Sequence, residues 1–416
     1  MTRSAGYTRA RILRADPLTP IPVASWLPEV IGGQALRKSL TVLSALLLGT
    51  GASAAAPALP PEIAPIPVSM LVDLSSGQIL HARQPDLPFL PASVTKVMTA
   101  YVAFEQIKRG TLKPDQEYVV SAAMARDWQG KGTSLYLKAG DKVSVDLLLR
   151  GITTVSANDG SAVLAEGFAG SLPVWAQLMN AEARRLGMSN SHFHTPNGWP
   201  DEGQTYVSAR DLVRLADALI DRHPVLYRRY FGHKYLTWNG ATGRNHDPMI
   251  GVVPGADGIK TGYTREAGYN FLGSAERNGR RLVMVIAKAT TPQERGAAAK
   301  ALMEWGFSAW KAQSLFAPGT SVGEAQVQGG ARRSVTLVSP KAVQAAVPVD
   351  GGKVVSLRIA YKGPLVAPVK EGDRVAELEI LTSAGQAGRV PLYAGYSVAQ
   401  AGTLDRLVNG LVAFFR

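Results

Sequence analysis

Apolar residues recur at two periods along the chain, and the two periods divide it into helical and extended stretches. Over residues 94–108 they return every three to four positions and Gly110 follows, which predicts a buried helix. Ser208 is a plausible N-cap for another such stretch. Further helices of this period are predicted over residues 145–151, 160–168, 175–186 and 208–222. The middle of the chain is therefore expected to be mainly helical.

Extended runs flank this helical middle. Residues 68–74 and 78–83 lie on either side of a Ser-Ser-Gly sequence, which predicts a β-hairpin. Three β-rich runs joined by glycine and Asn-Gly turns are predicted over residues 257–263, 269–276 and 281–288. A helix over 292–310 then begins with Pro292 in its first turn. This order predicts an α+β domain over residues 68–312, in which helices pack on an antiparallel sheet.

The composition changes from about residue 315. Short alternating runs separated by glycine and proline predict a small all-β domain over residues 315–395. Its predicted strands cover residues 334–338, 354–361, 374–381 and 388–392. This region contains no cluster of catalytic residue types, so the chemistry is expected in the first domain.

Residues 397–416 are predicted to form a final amphipathic helix. The apolar residues of one side are Leu404, Leu407, Val408, Leu411, Val412, Phe414 and Phe415. Such a helix can lie flat in a bilayer interface and anchor the protein to the membrane surface. The alternative is a helix docked on the β domain.

The amino terminus resembles a secretory signal. Arg37 and Lys38 precede a short apolar run, and small residues that include Ala52-Ser53-Ala54 follow it. The run is too short to span a bilayer, so residues 1–54 are predicted to be a removable leader. Residues 55–67, rich in alanine and proline, are predicted to be a linker. These features predict an exported protein.

Composition excludes several classes of function. The 416 residues include no cysteine, which rules out disulfides and thiol catalysis. The formal net charge is +13, but the basic residues are scattered, so nucleic-acid binding is not indicated. His192 and His194 lack a third ligand at metal-site spacing, and Asp201 with Glu202 lies in a loop rich in glycine and proline, where solvation is expected. No metal site is therefore predicted.

Ser93 and Lys96 form the first candidate catalytic pair. Residues three apart on a helix share a face, and Ser93 lies at the predicted helix start, near unpaired backbone N–H groups. Lys96 can accept the Ser93 proton only when it is neutral, and burial beside a second cation favours that form. The string is weak evidence alone, because Ser308 and Lys311 repeat its spacing without partner motifs.

Two further motifs supply the partners. Ser156 and Asn158 are expected on an extended loop between helices, where their side chains point the same way. Ser156 can then relay a proton, and Asn158 can hold Lys96 or a substrate amide. For these two residues alone, a polar loop or helix cap is the simpler interpretation.

The third motif, Lys260-Thr261-Gly262, falls on a predicted strand. Its lysine and threonine can bind a carboxylate, and Gly262 allows close backbone approach. Lys260 is the candidate second cation beside Lys96. The backbone N–H groups of Tyr263 and Ser93 can form an oxyanion hole.

Taken together, the order and contexts of these motifs resemble the serine D-Ala-D-Ala carboxypeptidases, the low-molecular-mass penicillin-binding proteins. The resemblance covers roughly residues 65–395 and then the amphipathic tail. Flanking sequences that also resemble the family are Asp257-Gly258-Ile259, Ala267-Gly268-Tyr269-Asn270, Leu137-Lys138-Ala139-Gly140-Asp141 and Trp305-Gly306-Phe307. It implies a β-lactamase/transpeptidase-like catalytic fold that requires no cofactor.

The resemblance also implies roles for individual residues. Ser93 forms the acyl-enzyme, Lys96 is its base and Ser156 shuttles a proton. Lys260 and Thr261 bind the terminal carboxylate. Two arginines, Arg244 and Arg295, align with family arginines near that carboxylate, although the loop before Lys260 is one residue longer here. Tyr263 stands where well-studied relatives carry histidine.

The implied activity is removal of the terminal D-Ala from peptidoglycan pentapeptides, with β-lactams as covalent inhibitors, at the periplasmic face of the cytoplasmic membrane. A DD-endopeptidase uses the same residues, and an inactive penicillin-binding scaffold is an alternative from another class. A class A β-lactamase would require a glutamate that activates the deacylating water, but no Glu-x-x-Leu-Asn string follows Asn158 where it is expected. Slow deacylation of penicillin is therefore predicted.

Overall fold

The computed structural model describes residues 56–402, apart from 352 and 386. The predicted leader over residues 1–54 lies outside the described residues. The chain divides into two units, Met1–Gly51 and Ala52–Arg416, and all described residues belong to the second.

Helices and strands follow in the order that the sequence pattern predicts, with several short additions. The α-helices of the described chain are α1 (Lys96–Lys108), α2 (Ala122–Trp128), α3 (Val145–Arg150), α4 (Asn158–Ala169), α5 (Leu172–Arg185), α6 (Ala209–Arg222), α7 (Pro224–Tyr230) and α8 (Pro292–Ser308). Its strands are β1 (Val68–Asp73), β2 (Gln78–Arg83), β3 (Glu117–Val119), β4 (Lys142–Ser144), β5 (Tyr235–Trp238), β6 (Ala241–Arg244), β7 (Ala256–Thr264), β8 (Gly268–Arg277), β9 (Arg280–Ala289), β10 (Trp310–Phe316), β11 (Ser321–Gln328), β12 (Ser334–Val338), β13 (Val343–Pro348), β14 (Val354–Ala360), β15 (Leu365–Val366), β16 (Arg374–Thr382) and β17 (Ala387–Ala394). A 3-10 turn over Ala92–Thr95 leads into α1, and a π-helical turn over Gly151–Val155 follows α3.

A five-stranded antiparallel sheet of order β2-β1-β9-β8-β7 is the centre of the first domain. Strand β9 alternates between two cores because successive side chains point to opposite faces. Leu282, Met284 and Ile286 join the cluster that includes α8 residues, whereas Val283 and Val285 join the cluster that includes α1 and α6. The predicted packing of helices on an antiparallel sheet is confirmed, with helices on both faces.

The second domain is all-β, as predicted. Its larger sheet has the order β14-β16-β17-β12-β11-β15, and β10 pairs with β13 in a separate ribbon. The helix predicted over 292–310 ends at Ser308, because Trp310 is buried and begins β10. Strand β10 therefore crosses the predicted boundary at residues 312–315.

The segment predicted to be a linker is docked on the first domain. Ile63 and Ile66 are fully buried, and the Arg83 guanidinium donates to the Ile63, Ala64 and Ile66 carbonyl oxygens at 2.8–2.9 Å. Because its isoleucines are buried, this proline-rich stretch packs on the first domain instead of forming a linker.

The predicted C-terminal helix does not begin at Ser397. Val398 pairs with Val369 in an isolated bridge, and the Ala401 N–H donates to the Gly329 carbonyl oxygen at 2.8 Å. These backbone groups are used by the β domain, so a helix cannot use them. Residues 403–416 lie outside the described residues. Among the residues that are described, no helix is both long and apolar enough to cross a bilayer.

Candidate active site

A cavity of about 400 Å³ lies where the 3-10 turn before α1, the turn before α4 and strand β7 meet. The residues that line it are Ser93, Gly132, Thr133, Ser156, Asn158, Gly198, Trp199, His246, Thr261, Gly262, Tyr263, Thr264, Tyr269, Pro292 and Arg295. The three motifs, far apart in sequence, therefore meet at one site.

Ser93 and Lys96 lie at the junction of the 3-10 turn and α1. Lys96 is 1% exposed, and its Nζ lies 2.7 Å from Ser93 Oγ. The same nitrogen lies 2.7 Å from Asn158 Oδ1 and 3.0 Å from the Asn197 carbonyl oxygen. Asn158 Nδ2 donates to the Lys131 carbonyl oxygen at 2.8 Å, which turns Oδ1 towards Lys96.

These contacts match the bonding capacity of a neutral amine. The Asn158 and Asn197 oxygens only accept hydrogen bonds, so they use two N–H bonds of Lys96. The remaining lone pair then faces Ser93 Oγ, whose hydrogen it can accept. Burial, followed by the charge of Lys260, lowers the pKa of Lys96 well below its ordinary value, while Asp159 opposes the shift. A neutral Lys96 amine is therefore placed to accept the hydrogen of the Ser93 hydroxyl.

Ser156 closes another side of the cavity in an unusual backbone conformation. It is 4% exposed and has φ of 64°, in the left-handed region. Its carbonyl oxygen accepts a hydrogen bond from Thr133 Oγ1 at 2.6 Å. Asn158 is the first residue of α4, so the predicted loop is only two residues long. The expected extended backbone is wrong, because the π-helical turn ends at Ser156.

Strand β7 brings the third motif against the helix start. A Cβ on Gly262 would lie 2.3 Å from the Pro91 carbonyl oxygen and 3.1 Å from the Ser93 backbone nitrogen. Only glycine therefore allows this approach without displacing the nucleophile's turn.

Lys260 and Thr261 are the other two residues of this motif on β7. Thr261 lines the cavity, and Lys260 is 4% exposed behind it, with Nζ donating to the Thr261 carbonyl oxygen at 3.0 Å. Burial and the neighbouring Arg295 lower the pKa of Lys260 to about 7, while Asp247 opposes them.

Arg295, Tyr263 and Tyr269 form another wall of the cavity. Arg295 is 9% exposed on α8, and its guanidinium carbon lies 5.8 Å from the Tyr269 ring centroid. Tyr263 stacks on Tyr269 with ring centroids 4.1 Å apart and remains 53% exposed. The cavity therefore has positive charge at one end and an aromatic wall beside it.

Of the two predicted arginines, only Arg295 lines the cavity. Arg244 is exposed at the end of β6, and its charge acts on His246, which occupies a position in the lining. The hairpin β5–β6 holds Arg244 through its pairing with Tyr235, outside the cavity. Arg244 therefore contributes to the electrostatic field of the cavity from a greater distance than its alignment with the family arginine implies.

Sequence reasoning missed several residues of the site. Asn197 contacts Lys96 through its backbone, and Trp199 lines the cavity from the loop after α5. Asp247 lies buried beside the cations, and Gly132 approaches Asn158. None of them belongs to a recognisable short motif, and their positions depend on loops that are specified only by tertiary packing.

A second cavity of about 320 Å³ adjoins the first. The two share Gly198, Trp199 and Thr264, so they form one groove along β7. The outer part has apolar walls, including Leu90 and Pro200, with the carboxylates of Asp201, Glu202 and Glu266 among its lining.

The remaining candidates from the sequence lie outside this chemistry. Ser308 ends α8 and Lys311 lies on β10, so the second Ser-x-x-Lys string does not share one helix face. His192 Nδ1 lies 2.8 Å from the Gln204 carbonyl oxygen, and Asp201 is bonded to Thr205. The side chains of His192 and Asp201 therefore form hydrogen bonds within their own loop.

Comparison with protein families places the chain clearly. Residues 56–291 match the family model described as D-alanyl-D-alanine carboxypeptidase. Residues 310–400 match the model described as penicillin-binding protein 5, C-terminal domain. The second match begins at the first strand of the all-β domain.

Similar proteins span most of the chain. The D-alanyl-D-alanine carboxypeptidase DacD of Salmonella typhimurium is 32% identical over 345 residues, which cover 81% of this chain and 87% of that protein. The crystal structures of penicillin-binding protein 5 from Haemophilus influenzae include a chain with a TM-score of 0.69 and 28% identity, covering 83% of this chain and all of that one. An ampicillin-bound penicillin-binding protein D2 from Listeria monocytogenes has a TM-score of 0.54 at 29% identity, covering 61% of this chain and 100% of that chain.

Proposed function

Because the chain belongs to the D-alanyl-D-alanine carboxypeptidase family, we propose that it removes the terminal D-Ala from peptidoglycan pentapeptides through an acyl-enzyme on Ser93. The observation that carries this proposal is the set of contacts around Lys96, whose two acceptor neighbours leave its lone pair to Ser93. The activity acts in cell-wall biogenesis, on the periplasmic side of the cytoplasmic membrane.

Acylation follows from this arrangement. The Ser93 hydroxyl transfers its proton to neutral Lys96 while its oxygen forms a bond to the penultimate D-Ala carbonyl carbon. The backbone N–H groups of Ser93 and Tyr263 stabilise the resulting oxyanion. The C–N bond then breaks, and Ser156 relays a proton from Lys96 to the departing amine of D-Ala. The substrate carboxylate is held by Lys260 and Thr261.

Deacylation uses the same base. A water molecule loses a proton to Lys96 and adds to the acyl carbonyl, and the proton returns to Ser93 Oγ when the ester bond breaks. No aspartate or glutamate lines the catalytic cavity in the described part of the chain. We therefore expect slow hydrolysis of the penicilloyl-enzyme, with β-lactams acting as long-lived covalent inhibitors.

The test compares two serines that share the same sequence string. Ser93→Ala removes the nucleophile, so D-Ala release from a D-Ala-D-Ala-ending pentapeptide and labelling by a fluorescent penicillin should both be lost. Ser308→Ala is the matched control, since Ser308 is exposed at the end of α8, and it should retain both. Equal labelling of the wild type and Ser93→Ala would remove Ser93 as the nucleophile. Cleavage of crosslinked peptide dimers without D-Ala release would instead identify a DD-endopeptidase.

We also propose that the C-terminal segment binds a membrane surface. Support comes from the sequence alone: seven apolar residues between 404 and 415 fall on one side of a helical projection, opposite Asp405, Arg406 and Asn409. This segment would hold the catalytic domain close to newly made wall. The leader predicted over residues 1–54 would direct the export that this location requires.

A further inference from the structure

Asp247 is a buried carboxylate beside the proposed substrate site that the mechanism above does not use. It lies between β6 and β7 and is 8% exposed. Its Oδ1 accepts hydrogen bonds from the Met249 and Ile250 N–H groups at 2.7 and 3.2 Å. Its Oδ2 is buried and makes no hydrogen bond within the described structure. A buried carboxylate oxygen is costly to leave without a partner, so its position requires an explanation.

Two cations, Arg295 and Lys260, interact electrostatically with Asp247. Arg295 Nε is buried and makes no hydrogen bond in the described part of the chain. Lys260 Nζ donates to the Thr261 carbonyl oxygen. The three charges interact with one another, since Asp247 favours the charged forms of both Lys260 and Arg295. Without Asp247, two desolvated cations would face each other at the base of the cavity, which is an unfavourable arrangement.

We propose that Asp247 is a positioning residue that keeps the Lys260–Arg295 pair charged and available for the carboxylate of the substrate. This inference rests on the proposed carboxypeptidase function. Thr261 and Arg295 are the groups of this cluster that reach the cavity surface, whereas Asp247 lies behind them. Asp247 therefore acts through the cations, and it sets how strongly the site binds an anion at a given pH.

Charged and titratable groups reach this cluster from several elements. They are Lys260 on β7, Arg295 on α8, Tyr269 on β8, Lys96 on α1, His246 beside Asp247 and Arg244 on β6. Asp159 acts on Lys96, whereas Asp247 is the carboxylate that acts on Lys260 and Arg295, so Asp247 is the counter-ion of that pair. Burial raises the pKa of Asp247 to about 6, so the carboxylate is mostly ionised at neutral pH.

The direction of the pH effect follows from Lys260. Its pKa of about 7 means that it loses its proton as the pH rises through neutrality, and the site then loses affinity for a carboxylate. Asp247→Asn removes the negative charge that raises this pKa. The alkaline loss of affinity should therefore move about one pH unit or more towards acid in the variant. Below about pH 5, where Lys260 is mostly protonated in both proteins, the variant should bind a carboxylate at least as tightly.

The experiment measures acylation rate constants for benzylpenicillin and for its methyl ester between about pH 5 and pH 9. In Asp247→Asn, the rate for the acid should fall about tenfold near pH 8, and the rate for the ester should match that of the wild type. Asp257→Asn is the matched control: it removes a carboxylate from β7 whose partners are Arg281 and Tyr227, and it should leave both pH profiles unchanged.

An unshifted acid profile in Asp247→Asn, or an equal loss for acid and ester, would overturn the inference, since a merely structural role affects both ligands alike. The thermal unfolding midpoint of each variant identifies any loss of folded protein. Wild-type enzyme that reacts with penicillin but releases no D-Ala from a pentapeptide would contradict the proposed function. The inference about Asp247 would then still be decided by the pH profiles of acylation in Asp247→Asn.

Discussion

At the scale of single residues, Ser156 combines a proposed role in proton relay with an unfavourable backbone conformation. A residue other than glycine in the left-handed region costs about 1–3 kcal/mol, and this occurs where the surroundings determine the conformation. Here Thr133 Oγ1 binds the Ser156 carbonyl oxygen, and the Asn158 N–H donates to the Thr133 carbonyl oxygen at 2.9 Å. This backbone conformation places Ser156 in the lining of the cavity that it shares with Ser93.

Replacing this serine separates stability from activity. Ser156→Gly removes the Cβ that disfavours φ of 64°, so it should be more stable than Ser156→Ala by about 1 kcal/mol. Both variants lack the hydroxyl, and both should lose D-Ala release by about 100-fold, the size of a lost proton relay. Chemical denaturation and steady-state kinetics on the two variants check this. A glycine variant no more stable than the alanine variant would show that the conformation is not strained.

The residues that sequence could identify are those whose chemistry is local. Ser93 and Lys96 share one helix face, and Lys260 with Thr261 lies on one strand, so short strings carry their signal. Asp247 carries no such signal, because its proposed role depends on burial near Lys260 of β7 and Arg295 of α8. Substrate binding by Arg244 stays a prediction, since Arg244 does not line the cavity and alignment along the chain does not determine its distance from the substrate.

At the scale of elements, the site depends on how closely β7 approaches the 3-10 turn before α1. Gly262 lies against the Pro91 carbonyl oxygen on one side of this turn. On the other side, a Cβ at Gly198 would lie 1.9 Å from the Ala92 carbonyl oxygen. The turn that carries Ser93 is therefore held between two glycines from distant segments. Any side chain at these positions would displace the turn that carries Ser93.

Gly262→Ala tests this arrangement. The added methyl group overlaps backbone atoms, which cannot rotate away, so we expect a loss of about 1–3 kcal/mol in stability. Penicillin labelling should fall by more than the unfolded fraction accounts for. Gly296→Ala on α8 is the matched control, since its Cβ meets only Pro248 Cβ at 3.6 Å and alanine favours a helix. Unchanged labelling in Gly262→Ala would contradict the close approach.

Long periodic elements were predictable, and short irregular ones were not. Helix α6 begins after Ser208, whose side chain accepts from the Asp211 N–H as predicted. The π-helical turn before Ser156 has no sequence signature, because it satisfies tertiary packing of Ile152 and Thr153 rather than a local preference. The two-stranded ribbons β3–β4 and β5–β6 escaped detection since they are only three or four residues long.

At the scale of the whole molecule, the two domains are joined by buried hydrogen bonds between the Gln78 side chain and the backbone of β13. Gln78 on β2 is fully buried, and its amide bonds both the N–H and the carbonyl oxygen of Ala346 on β13 at 2.6 and 2.9 Å. A Cβ on Gly388 would lie 2.5 Å from the Ser76 carbonyl oxygen, so β17 also approaches the β1–β2 turn closely. The β domain therefore contacts the catalytic domain at β2 and at the β1–β2 turn. Near its end, Val398 pairs with Val369 and the Ala401 N–H donates to the Gly329 carbonyl oxygen.

These pairings define where a truncation can be made. Deleting residues 397–416 would remove Val398 and Ala401 from the β domain, whereas deleting 403–416 leaves both hydrogen-bonded. We expect the protein lacking 403–416 to keep full penicillin labelling and the same unfolding midpoint. It should move from the membrane fraction to the soluble periplasmic fraction, because it has lost the apolar residues that would enter the interface.

Two single substitutions distinguish a lipid contact from a general effect of the tail. Leu407→Asp places a charge on the apolar side of the helical projection and should release the protein from vesicles that contain anionic lipid. Asn409→Asp introduces the same charge on the polar side and should weaken binding only slightly, since the carboxylate stays in water. Cosedimentation with such vesicles measures both. Equal retention of the wild type and Leu407→Asp, or a protein lacking 403–416 that stays in the membrane fraction, would show that the anchor lies elsewhere in the chain.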